Sequence, residues 1–243
     1  MRCKINDVKT FKDCVMVSSE ILFNFHIICD KEGIRWTGMD KAHVSFIECV
    51  FSSDFFESYD YETPVELIVD GNEFQNVIKR CGNSEDIILV SDEYKLHIKY
   101  LNGKNERNFE LNYVDEMDNS FNLPNIPFKR TDVEIPKKLL FKYMEDCQLY
   151  TTTVNLKLDK DSLIVAADGD LGAYNGKIYL DGKEGESCSS IFSIDKLKVF
   201  KKFSTFDELY LSLSQNMPCL FVVKDAMDSV RVKLMVANRI SEQ

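Results

Sequence analysis

Apolar and polar positions alternate with a period of two through most of this chain. Leu67-Ile68-Val69, Ile87-Ile88-Leu89-Val90, Lys95-Leu96-His97-Ile98-Lys99-Tyr100, Leu156-Lys157-Leu158 and Leu209-Tyr210-Leu211-Ser212-Leu213 are short runs of this kind. Each is bounded by Asp, Asn, Gly or Ser, the signature of antiparallel strands joined by turns. Helical spacing replaces the alternation in four stretches, roughly 7–19, 72–81, 137–148 and 194–203. The order is helix, strands, helix, strands, and then the same again.

The residues repeat along with the pattern. Ile5 and Phe11-Lys12 recur as Ile135 and Phe141-Lys142, and Ile34 and Asp40 recur as Ile164 and Asp170. Further along, Val77-Ile78-Lys79-Arg80 matches Val199-Phe200-Lys201-Lys202, and Glu85-Asp86-Ile87-Ile88-Leu89 matches Asp207-Glu208-Leu209-Tyr210-Leu211. The shared order of these pairings indicates an internal duplication. Between the halves, residues 114–128 are acidic at their start, contain Pro124 and Pro127 and show no sustained period, as an extended connector would. The expected fold is α+β: two similar domains, 1–113 and 129–243, each of antiparallel sheet with two helices.

Each predicted helix presents cations on its outer face. Lys9 and Lys12 share a face of the first, Lys79 and Arg80 lie together on the second, and Lys138 and Lys142 share a face of the third. Lys198, Lys201 and Lys202 stand at i, i+3 and i+4 in the fourth. Asp13, Glu145 and Asp195 interrupt the series, so the surface is biased and not uniformly basic. A single such helix reads as an ordinary solvated face. Four of them in a chain of net charge −10 suggest a basic surface concentrated where a polyanion would lie. Contacts of that kind reach phosphates and read no base sequence.

Other chemistry is sparse. The eight cysteines form no Cys-x-x-Cys pair and sit among apolar neighbours, so they read as buried thiols in a reducing compartment. With only His26, His43 and His97 to assist, no metal site is expected, and Asp168-Gly169-Asp170 reads first as a turn. No phosphate-binding glycine fingerprint, nucleophile elbow or zincin motif occurs, so neither a catalytic centre nor a cofactor is expected. No apolar run approaches the ~20 residues of a membrane helix, and the first residues lack a signal-peptide core. An intracellular protein is expected.

The segment Gly33-Ile34-Arg35-Trp36-Thr37-Gly38-Met39-Asp40-Lys41-Ala42-His43-Val44-Ser45-Phe46 resembles a distinctive stretch of the proliferating cell nuclear antigen (PCNA) family of sliding clamps. Lys79-Arg80-Cys81-Gly82-Asn83 with Glu85-Asp86, Asp170-Leu171-Gly172, Asn216-Met217-Pro218 and the tail 236–242 match in the same order. The connector, with Leu123-Pro124-Asn125-Ile126-Pro127-Phe128, looks closer to archaeal members. The resemblance implies a closed ring, expected to be a homotrimer, around duplex DNA.

It also implies that subunits join through strands carrying Phe109, Leu111 and Tyr113 on one copy and Ile178 and Tyr179 on the next. A hydrophobic pocket would take the short PIP-box peptides of DNA polymerase, flap nuclease and ligase, with the clamp loader as a further partner. Met39, His43, Val44, Phe46, Met117, Pro218, Met235 and Ala237 fall on its positions. Asn238 stands where the family's tail has proline, and Met235 where many members have an aromatic residue. Two readings within the same lineage stay open: a specialised subunit of a heterotrimer, and a clamp-derived viral transcription or docking factor.

Overall fold

Capping and alternation in the sequence account for the elements of the computed structural model, which describes residues 1–82, 84–115, 125–180 and 185–239. In the first half the order is β1 (Arg2–Ile5), α1 (Val8–Ser18), β2 (Asn24–Asp30), β3 (Gly33–Met39), β4 (Ser45–Ser52), β5 (Phe56–Asp60), β6 (Val65–Asp70), α2 (Gly71–Lys79), β7 (Asp86–Ser91), β8 (Lys95–Asn102) and β9 (Asn105–Asn112). The second half runs β10 (Arg130–Pro136), α3 (Lys137–Cys147), β11 (Thr153–Leu158), β12 (Ser162–Gly169), β13 (Gly172–Tyr179), β14 (Cys188–Ser193), α4 (Ile194–Leu197), β15 (Glu208–Leu213), β16 (Cys219–Lys224) and β17 (Val230–Val236). The chain divides into two compact units. Unit 1 is the described part of Met1–Leu123 with Lys224–Val232, and unit 2 the described part of Pro124–Val223 with Lys233–Gln243.

Side-chain caps open the first two helices. Asp7 accepts from the Thr10 N–H at 3.0 Å, and Asp70 from the Glu73 N–H at 2.9 Å. A cap of this type contributes about 1 kcal/mol. The fourth helical stretch differs from the spacing read in the sequence. Only Ile194–Leu197 is α-helical, and Lys198–Lys202 continues as a 3-10 turn. Its anchors explain the change: Leu197, Phe200 and Phe203 are all buried and recur every third residue, which matches the 3-10 repeat.

The duplication is visible strand by strand. In unit 1 the order β6-β2-β3-β4 corresponds to β14-β11-β12-β13 in unit 2, and β1-β7-β8-β9 corresponds to β10-β15-β16-β17. β5, flanking β1, is extra to unit 1. The paired residues of the repeat land on matching elements: Ile34 and Ile164 on β3 and β12, and Asp40 and Asp170 just beyond them. Asp170 and Leu171 form the turn between β12 and β13, as the Asp-Gly-Asp reading anticipates.

Unit 1 is built around Trp36, fully buried, whose indole N–H donates to Ser18 Oγ at 2.8 Å. Phe11, Phe25 and Phe51 surround it with ring centroids 5.2 to 6.1 Å away. Unit 2 packs Leu140, Phe141 and Met144 of α3 together with Phe192, Phe200 and Phe221 in its core. All eight cysteines are free and buried, and burial pushes the Cys81 and Cys147 thiols up to about 11. No helix among the described residues is long and apolar enough to cross a membrane.

Candidate nucleic-acid and partner interfaces

In unit 1, α1 and α2 lie side by side. Lys12 Nζ donates to the Cys81 carbonyl at 2.6 Å near one end, and Gln75 Nε2 donates to Ser19 Oγ at 2.6 Å near the other, so the helices run antiparallel. Lys12 is therefore half-buried and committed to the fold. Lys9, Lys79 and Arg80 are exposed, and among the described residues their side chains carry no ion pair.

The corresponding surface of unit 2 is more tightly tied. Lys201 pairs with Glu145 and Lys198 donates to Gln148, which joins the 3-10 turn to α3. Lys138 lies 2.9 Å from Asp207. These contacts hold the Glu145 and Asp207 carboxyls below the usual carboxylate range through hydrogen bonds from Lys201 and Lys138. Lys142 and Lys202 are exposed. In a 3-10 turn Lys198 and Lys201 align, but Lys202 is rotated away, so the three do not share one face as helical spacing had suggested. Exposed ion pairs of this kind are weak, so a phosphate oxygen can compete for the cation.

The Met39–Phe46 segment forms the turn from β3 to β4. Asp40, 8% exposed, accepts from the Val44 N–H at 2.8 Å and the Ser45 N–H at 2.9 Å. His43 takes a positive φ of 55° and donates its N–H to the Asp40 carbonyl at 2.9 Å. Asp40 is thus the clamp of the turn, while His43 is exposed at its tip. Met39 and His43 line a cavity of about 320 Å³ within unit 1, together with Leu22, Phe23, His26 and Thr37.

Sequence reasoning missed Phe23. It is 55% exposed, and the Lys41 ammonium lies 4.5 Å from its ring centroid. It precedes β2 and stands outside the alternation that buries Phe25, Ile27 and Cys29.

β9 and β13 are two of the six edge strands among the described residues, the others being β5, β6, β10 and β14. β9 pairs only with β8, and β13 only with β12. Phe109 and Tyr113 are half-buried and Leu111 is buried on or beside β9; on β13 Ile178 is buried and Tyr179 is 72% exposed. The Tyr113 hydroxyl donates to the Lys95 carbonyl at 2.8 Å, and burial raises its pKa to about 12.

Residues 1–121 match the family model "Proliferating cell nuclear antigen, N-terminal domain". The DNA polymerase sliding clamp of Methanothermobacter thermautotrophicus is 25% identical over 244 residues, covering 100% of this chain and 99% of that one. The clamp of Methanobrevibacter smithii is 25% identical over 248 residues, covering 98% of each. The chain belongs to the PCNA family. Its fold agrees with PCNA from Thermococcus kodakaraensis at a TM-score of 0.90 and 16% identity, covering 98% of this chain and 99% of that one. It also agrees with A. fulgidus PCNA bound to the C-terminal region of FEN-1, at 0.89 and 20%, covering 100% and 99%.

The remaining positions implied by the PCNA resemblance lie elsewhere in the chain. Val44 is half-buried and Phe46 is 3% exposed in unit 1. In unit 2, Pro218 and Ala237 are half-buried, and Met235 is 5% exposed. Asn238, where PCNA tails have proline, is followed by Arg239, whose N–H donates to the Ile191 carbonyl at 2.7 Å. Met117, like most of the connector, lies outside the described residues.

Proposed function

We propose that this chain is a DNA polymerase sliding clamp that closes as a homotrimer around duplex DNA. One observation carries the reading. In unit 1 the outer edge of β4 is covered by the first residues of β17, with the Ser52 N–H donating to the Ser229 carbonyl at 2.9 Å. The duplication makes β13 the counterpart of β4 and β9 the counterpart of β17, and both β13 and β9 are edge strands. A second copy that lays its β9 on β13 covers both of these edges. Such a head-to-tail contact generates a ring when its rotation closes, and closure removes edges that would otherwise invite aggregation. Three copies supply six units, in keeping with the family.

In that ring the helix faces turn toward the duplex, with Lys9, Lys79, Arg80 and Lys142 as the freest cations. Weak contacts to phosphate suit a collar that holds DNA and still moves along it. The Met39–His43 cavity forms part of the docking surface for PIP-box peptides of polymerase, flap nuclease and ligase, and the clamp loader opens the ring. The protein acts inside the cell as a tether, without catalysis or a cofactor.

Light scattering during size-exclusion chromatography tests the assembly. A mass of three times 28.1 kDa is expected, and a stable monomer overturns the homotrimer. The alternative is one subunit of a heterotrimer. A monomer that assembles only with sister chains supports it.

A further inference from the structure

The duplicated fold supplies its own control for the cavity beside Met39 and His43. Five residues separate α1 from β2, and five separate α3 from β11, so Phe23 and Thr152 occupy matching places just ahead of their strands. Both are exposed, and unit 2 builds this entry with a small polar residue. The fold therefore does not require an aromatic ring there. The neighbouring turns differ as well. Residues 40–44 join β3 to β4, whereas Asp170 and Leu171 alone join β12 to β13. The longer turn brings the Lys41 ammonium within 4.5 Å of the Phe23 ring centroid. Ring and turn thus wall one cavity of about 320 Å³ in unit 1.

Several polar groups on this lining are already engaged. Asp40 accepts from the Val44 and Ser45 N–H groups, His26 pairs with Glu66, and the Lys41 ammonium rests over the Phe23 ring. Phe23 itself is left 55% exposed, with Leu22 and Met39 on the same lining. A lone exposed apolar residue on a convex surface needs no explanation, but an aromatic wall of a concave site is where a ligand gains most.

We infer that Phe23 is a contact residue for docking partners and receives an apolar side chain from outside the PIP-box motif. The contact rests on the reading of Met39 and His43 as part of the PIP-box surface, with which this cavity is continuous. Phe23 is not among the positions that the PCNA resemblance assigns to the motif, so the side chain it meets comes from a flanking residue. Lys41 holds the ring from one side, and little ordering is needed for an aliphatic or aromatic group to pack against the rest of it. A charged or amide group placed there gives up water with fewer free partners to replace it. Phe23 therefore sets preference among peptides that share a motif, while Met39 acts on all of them.

The test uses the full-length assembled protein and fluorescence anisotropy with two labelled peptides. Both carry the same PIP-box motif, flanked on each side by leucine-rich residues in one and by serine-rich residues in the other. Flanks of about five residues reach roughly 16–18 Å when extended, enough to cross such a cavity. The leucine-flanked peptide should bind about tenfold more tightly to the wild type, as expected for one added apolar anchor. Phe23→Thr, the residue unit 2 carries at the matching place, should keep its melting temperature and reduce that preference to about twofold or less. Phe23→Leu should retain most of the preference, and Met39→Ala should weaken both peptides alike. No preference in the wild type, or an undiminished one in Phe23→Thr, overturns the inference while the docking reading stands. Unchanged affinity of both peptides in Met39→Ala overturns the docking reading, and the inference with it.

Discussion

Lys12 Nζ reaches the Cys81 carbonyl oxygen at 2.6 Å, across 69 residues of sequence. The contact fastens the middle of α1 to the end of α2, so this lysine acts on stability more than on DNA. Lys12→Ala should lower stability by about 1 kcal/mol, toward the lower end for a bond from a charged group because the site is half-exposed. That is a fall of about 2–4 °C in Tm for a chain of this size. Lys79→Ala, on the exposed face of α2, should leave Tm within about a degree. Thermal unfolding of the two variants in parallel checks the contrast, and equal melting points would remove the structural role of Lys12.

DNA retention should show the opposite dependence. Replacing Lys79, Arg80, Lys201 and Lys202 together by Ala should weaken retention on closed circular DNA while sparing assembly. Each lost phosphate contact reduces the salt-dependence slope by about 0.9. Lys201 is paired with Glu145, so its share should be smaller than that of Lys79 or Arg80. Retention measured from low to moderate salt decides the matter, and an unchanged slope would place the DNA on another surface.

How far the sequence reveals these features depends on the range of the interaction. Strands such as β8 were legible because Leu96, Ile98 and Tyr100 are buried while Lys95, His97 and Lys99 point outward. The duplication was legible because it preserves residues such as Ile34 and Ile164 at equivalent strand positions. The pairing of Lys201 with Glu145 was not, since the residues lie 56 apart and meet only after α3 and the 3-10 turn pack. The same holds for the placement of Lys224–Val232 in unit 1, which depends on pairing over most of the chain. Met39 and His43 were singled out through a motif and line one cavity, but the motif's Asp40 holds the turn through the Val44 and Ser45 N–H groups, and Phe23 belongs to no motif.

Asp40 and His43 should therefore fail differently. Asp40→Ala leaves the Val44 and Ser45 N–H groups without their acceptor, which costs about 1–3 kcal/mol and loosens the turn. It should lose both stability and PIP-box peptide affinity. His43→Ala and Met39→Ala should retain the melting temperature and weaken only the peptide. Calorimetric titration of the peptide beside thermal unfolding separates the two classes, and undiminished affinity in Met39→Ala would locate the docking site elsewhere.

Acid should loosen the β7–β8 turn through Asp92. Its carboxylate accepts from His97 Nε2 at 2.6 Å and from the Tyr94 and Lys95 N–H groups at 2.7 Å. The His97 bond, followed by the backbone donors, lowers its pKa to about 2. A carboxyl whose folded value lies below the unfolded value of about 3.9 binds its proton more readily when unfolded. Its contribution is thus complete above about pH 4 and is lost as the pH falls from there through about 2. Asp92→Asn cannot titrate, so it should be less stable than the wild type at neutral pH and converge with it near pH 2. Urea midpoints measured from pH 6 down to pH 2 test this, and two curves that stay parallel throughout would show that Asp92 is not among the groups that set acid stability.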